Sequence, residues 1–136
     1  MYMRPAISTE ATMLRSSVVP TVFGEGAILL DLNTKYFYHL NETGWAIVQL
    51  IESAGASRDA ILERCAQWGM PASSSGNVGA FLDELAQHEL LEDAEYGAPA
   101  DVNAPATWVS PHVQRQAEPL HRLVTSAFDP SIPLAE

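Results

Sequence analysis

The sequence predicts an α+β domain, a three-stranded antiparallel sheet followed by three helices, with a proline-rich C-terminal extension. Two changes of pattern predict it. Between Val18 and Leu40, the short β-branched or aromatic runs "VVPTVF", "AILLDL" and "YFYHL" are separated by the turn-forming "GEG" and "NTK", the signature of an antiparallel meander. After Leu40 the apolar residues switch to helical spacing in three successive segments, each bounded by capping or breaking residues.

Residues 1–17 are small, mixed and polar with no sustained period, and read as a flexible N-terminal arm. Pro20 marks the first strand as an edge or irregular one, because proline cannot donate to a ladder. Asn41 is a good N-cap, Glu42 suits the positive helix start, and Ile47, Val48 and Ile51 form an apolar face that "AGA" ends. Ser57 caps a second helix with Ile61, Cys65 and Trp68 on its apolar side, broken by "GMP". The third carries Val78, Phe81, Leu82 and Leu85 at i, i+3, i+4 and i+7, the cleanest amphipathic spacing in the chain. "ELLED" at 89–93 closes the domain with a short extended piece. The domain therefore spans 18–93 and the extension 94–136. The extension holds six of the nine prolines and reads as an extended linker. Its exception is "PLHRLVTSAF", a short helix over 119–128 with an apolar face suited to docking on the domain or on a second copy of it.

Lys and Arg number 7 against 17 Asp and Glu, and residues 18–93 alone carry 11 acidic side chains against 3 basic ones. That balance argues against a nucleic-acid partner, whose phosphates need a basic surface. The longest apolar runs are about four residues, far below the ~20 that span a bilayer. The N-terminus has no apolar h-region, and the one cysteine cannot form an internal disulfide. Both features point to the cytoplasm, without a membrane partner.

Catalytic candidates fail one by one. His39, His88, His112 and His121 lack metal-ligand spacing. Cys65 lies on an apolar helix face, where a free thiol behaves as a small hydrophobe. "GEG" leads into a strand rather than a helix and is a hairpin turn, not a phosphate loop. The adjacent Asp83 and Glu84 do not share a helix face as an acid and base pair would. The reading is a non-enzyme with no cofactor and no metal.

"LLDLNTKYFYHLNETGWAIVQLIE", then "ASRDAILERCAQ", then "VGAFLDELAQHELLE", resembles the PqqD family, whose domain is also called the RiPP recognition element. The resemblance covers about residues 18–93. It implies a winged helix-turn-helix-like fold that binds the leader segment of a ribosomally made precursor peptide. The family presents that leader to a modifying enzyme such as a radical-SAM maturase, a cyclase or a leader protease. In the family the leader adds as a strand beside the third strand, in a groove walled by the third helix. Carried onto this sequence, the edge is Lys35, Tyr36, Phe37, Tyr38, His39 and Leu40, and the wall is Asn77, Val78, Phe81, Leu82 and Leu85. Period two sets Tyr36, Tyr38 and Leu40 on one face, with Tyr38 and Leu40 serving the core, and Phe37 and His39 on the other.

Lys35 and Glu89 stand where many relatives have glycine, at turns that want a positive φ. In the extension, "WVSPHV" at 108–113 is similar to the Y-x-x-P-x-L pattern of some lasso-peptide leaders. Linker remains its first reading, with occupation of the groove as the second. Two rival functions stay open: a winged-helix transcription regulator, and a structural subunit of a larger enzyme complex. Homodimerisation is compatible with the sequence.

Overall fold

The computed structural model describes residues 11–52, 55–95 and 101–116. In chain order the elements are β1 (Ala11–Leu14), β2 (Val18–Phe23), β3 (Gly26–Asp31), β4 (Phe37–Leu40), α1 (Glu42–Leu50), β5 (Ala56–Ser57), α2 (Arg58–Gln67), α3 (Ser75–Gln87), β6 (Leu91–Ala94) and β7 (Val113–Arg115), with one 3-10 turn at Ala72–Ser74 before α3. The expected order of three strands and three helices is present and mixed α+β. The single three-stranded sheet, however, is replaced by two antiparallel sheets, one ordered β2-β3-β4-β7 and the other β5-β1-β6.

The meander forms for the reasons its sequence gives. β2 and β3 pair in register from Val18↔Asp31 to Phe23↔Gly26, joined by a two-residue loop in which Gly24 takes φ 63°, a conformation that favours glycine. Pro20 lies on the outermost strand of that sheet, where a missing N–H is tolerated. The β3–β4 turn is held by Asp31: its carboxylate accepts the Asn33 N–H at 2.9 Å and its carbonyl accepts the Lys35 N–H at 2.7 Å. Asn41 and Ser57 cap α1 and α2 as predicted, their side chains accepting from the N–H of Gly44 and of Ala60.

β1 lies inside the span read as an arm. It pairs with β6 from Ala11↔Ala94 to Leu14↔Leu91 and with the two-residue β5. This small sheet ties the chain before β2 to the α1–α2 connection and to the exit of α3. Residues 1–10 and the helix expected over 119–128 lie outside the described residues.

The core sits between the inner face of the four-stranded sheet and the three helices. Ala27, Leu29, Tyr38 and Leu40 from the sheet meet Ile47, Val48 and Ile51 of α1 and its end, Ile61 and Cys65 of α2, and Val78, Phe81, Leu82 and Leu85 of α3. All four apolar positions assigned to the third helix are buried, as are Ile61 and Cys65, while Trp68 packs partly buried against them.

Lys35 and Glu89 adopt φ of 71° and 61°, so both turns keep the left-handed geometry that the sequence comparison with glycine anticipates. A side chain with a Cβ is strained there. Lys35→Gly and Glu89→Gly are each expected to stabilise the fold by about 0.5–1 kcal/mol, read as a higher urea midpoint with an unchanged slope; a loss of stability contradicts the strain argument.

Candidate functional site

β4 pairs with β3 on one side and with β7 of the C-terminal extension on the other, and the parity of its backbone decides which groups face each way. The Asp31 N–H donates to the Tyr36 carbonyl at 3.0 Å, and the Gln116 N–H donates to the Phe37 carbonyl at 2.9 Å. Alternation along an antiparallel ladder then turns Tyr38 and Leu40 towards β3 and Phe37 and His39 outwards. At that outward edge the chain's own C-terminal extension lies as an antiparallel strand, with Tyr38↔Arg115, His39↔Gln114 and Leu40↔Val113 in register. The linker reading of "WVSPHV" is therefore corrected. The prolines at 105 and 111 exclude helix, but an edge-added chain needs only alternate N–H groups, so they do not exclude pairing.

Asn41 joins the two structures. Its Oδ1 accepts from the Gly44 N–H at 2.9 Å, which caps α1, and from the His112 N–H at 3.0 Å. Its Nδ2 donates to the Ser110 carbonyl at 2.9 Å, and its backbone N–H donates to the His112 carbonyl at 3.3 Å. The first turn of α1 continues the clamp: Glu42 Oε2 accepts the Ala106 N–H at 3.0 Å and Thr43 Oγ1 accepts the Val109 N–H at 3.3 Å. Gly44 leaves the room this requires, since a Cβ there would stand 3.0 Å from Asn41 Oδ1, 3.1 Å from the His112 carbonyl oxygen and 3.2 Å from the Phe81 ring.

The predicted edge and wall residues converge on this segment unevenly. Tyr38 and Leu40 are buried beneath it, and Val113 is buried opposite Leu40. Tyr36 is half-buried, and the Arg115 guanidinium stacks over its ring at 4.7 Å, a cation–π contact. Phe37 and His39 are half-buried on the other face of the sheet, where the His39 ring meets Phe23 edge-on at 5.7 Å between centroids. Lys35 is exposed in the turn before the strand. On α3, the Asn77 amide donates to Ser110 Oγ at 3.1 Å. Val78, Phe81, Leu82 and Leu85 are buried in the core, with Phe81 reaching the junction at Gly44.

Sequence reasoning assigned Asn41 only a capping role and gave Glu42, Thr43 and Arg115 no site role. A side-chain amide at an N-cap has a spare NH2 group, with two N–H donors, beside its capping oxygen, and that is the signal in the sequence for a second function of Asn41.

Electrostatics here are mild. The Tyr38 hydroxyl is raised above its ordinary value, first by burial and then by the Asp31 carboxylate, with Arg115 opposing. Burial pushes the Cys65 thiol up to about 11, which keeps it protonated and unreactive at neutral pH. Arg58 pairs with Asp83 on the exposed side of α3. Among the described residues, no three His, Cys, Asp or Glu side chains are grouped to hold a metal ion, and no helix is long and apolar enough to cross a membrane.

The PqqD family model, described as coenzyme PQQ synthesis protein D, matches residues 26–91, from the start of β3 to the start of β6. Residues 26–91 are a PqqD domain. No curated protein and no solved structure matches the chain closely enough to count as a relative. The match includes β4, the α1 cap and all of α3, so every residue shown holding the segment belongs to the PqqD domain, whereas the segment itself, 101–116, lies outside the match.

The double use of Asn41 separates by substitution. Asn41→Ala removes the cap, which costs about 1 kcal/mol, and also frees the segment. Asn41→Asp keeps the accepting oxygen for Gly44 but sets a carboxylate oxygen against the Ser110 carbonyl. We expect it to stay within about 0.5 kcal/mol of the parent while limited proteolysis cuts faster within 101–116. Equal cleavage of parent and Asn41→Asp contradicts the clamp.

Proposed function

We propose that the PqqD domain binds the leader of a ribosomally synthesised precursor peptide as an added strand on β4 and presents it, without catalysing a step itself, to a modifying enzyme such as a radical-SAM maturase, a cyclase or a leader protease. The family match supports the precursor-binding role. The observation that carries the mechanism is the antiparallel pairing of an extended segment with the outward edge of β4. An edge strand offers unpaired N–H and C=O groups that give affinity, while alternate side-chain positions give specificity. The binding residues in this reading are Tyr36 to Leu40 on the strand, Asn41 at its end, and Asn77 and Phe81 on α3.

A winged-helix-like arrangement, with hairpin β2–β3 beside α1 to α3, is also used by DNA-binding proteins. The exposed side of α3 argues for a peptide instead: the helix contributes Asn77, Asp83, Glu84 and Gln87 and no Lys or Arg, and the one cation described against it, Arg58, is paired with Asp83, a poor surface for phosphates.

Proline scanning of β4 tests the mechanism. Tyr38→Pro deletes an N–H directed at β3 and is expected to lower thermal stability sharply. His39→Pro deletes one directed outwards and should leave a folded domain. Peptides enriched on the parent chain from a displayed library of random 12-residue sequences should then lose at least about tenfold in affinity for His39→Pro, and Phe37→Pro should behave alike. Enriched peptides that bind His39→Pro as tightly as the parent rule out strand addition at this edge.

A further inference from the structure

The contacts that hold residues 105–116 are directed mostly at main chain. Glu42, Thr43 and the amide of Asn41 address the backbone of Ala106, Val109, Ser110 and His112, and the Phe37 carbonyl takes the Gln116 N–H. Among these hydrogen bonds only the one between Asn77 and Ser110 Oγ uses a side chain of the segment. Any extended peptide laid antiparallel to β4 presents the same backbone groups and needs the same partners. The segment's own fit is also incomplete: the indole Nε1 of Trp108 is buried with no hydrogen-bond partner among the described residues, and a buried unpaired donor weakens docking.

We infer that residues 105–116 are a tethered occupant of the peptide site, so that an incoming peptide gains β4 only by displacing the chain's own segment. This rests on the peptide-binding reading and deepens it by naming what the site accepts. Val113, buried opposite Leu40, and Arg115, exposed over the half-buried Tyr36, define two subsites on the face of the added strand shared with Tyr36, Tyr38 and Leu40. The peptide class is an extended chain with an aliphatic residue followed two positions later by a basic one. Tethering makes the competition strong. A segment on a short linker acts at an effective concentration of about millimolar, so a free peptide of equal intrinsic affinity in the ~10 μM range is held back about a hundredfold.

The test uses the full chain and a fluorescein-labelled synthetic peptide with the sequence of residues 104–116. Gln114 is exposed, and the register turns its N–H towards His39, so Gln114→Pro weakens the segment without touching the core. By fluorescence anisotropy the probe is expected to bind Gln114→Pro at least tenfold more tightly than the parent, and a probe with glutamate in place of Arg115 should lose most of that gain. Val113→Asp serves as a second variant, with thermal melts confirming that each chain is folded. Equal probe affinity for parent and variants overturns the competition; if that binding is still abolished by His39→Pro, strand addition at β4 survives. Absence of probe binding to folded Gln114→Pro and Val113→Asp overturns the competition and also removes the functional reading's main support. Unfolding of both variants shows the segment to be part of the core, and the proposal falls.

Discussion

The outward edge of β4 is the constraint on which the rest of the structure depends. A strand with Tyr38 and Leu40 locked into the core cannot shift its register without exposing them, so the N–H groups of Phe37 and His39 must point away from the sheet. An open edge of that kind is a hazard unless something covers it. Here the cover comes from the same chain, and the groups that hold it are built into the start of α1. Asn41, Glu42 and Thr43 would form an ordinary capped helix N-terminus in another protein; in this one each also takes a hydrogen bond from or to the segment.

The two edges of the β2-β3-β4 meander are managed differently. On β2 the edge is blunted by Pro20 and by its short hairpin with β3, and Val22 and Phe23 are left exposed at its end. That edge is unsuited to strand addition because a proline interrupts its donors. β4 has no such block: none of its four residues is proline, and it runs directly into a helix cap. The asymmetry assigns strand addition to one side only. The second sheet, through β1, fastens the exits of α1 and α3.

Much of this was legible in the sequence, and the parts that were not share a physical cause. Asn41 and Ser57 as caps, the buried stripe of Val78, Phe81, Leu82 and Leu85, and the division of Tyr38 and Leu40 from Phe37 and His39 follow from local chemistry and periodicity, which a single sequence carries. β1 was hidden because "ATML" is too short to show alternation, and its partners Leu91 to Ala94 lie about 80 residues away, where only tertiary contact reveals them. The edge-pairing segment was hidden for a related reason: Pro105 and Pro111 rule out helix but say little about edge pairing, since an added strand donates only through alternate residues. Lys35 and Glu89 were visible as departures from glycine, but only the backbone shows that the positive φ was kept and the strain accepted.

Amide hydrogen exchange along β4 of the full chain, residue by residue, tests the central claim most directly. If the outer edge is covered by a displaceable segment, Phe37 and His39 exchange through detachment of 101–116, with an opening free energy clearly below that of Tyr38 and Leu40, whose amides open only with the domain. If all four exchange together at the limit set by global unfolding, the segment is an integral strand, and β4 is not a site at which a peptide can be exchanged.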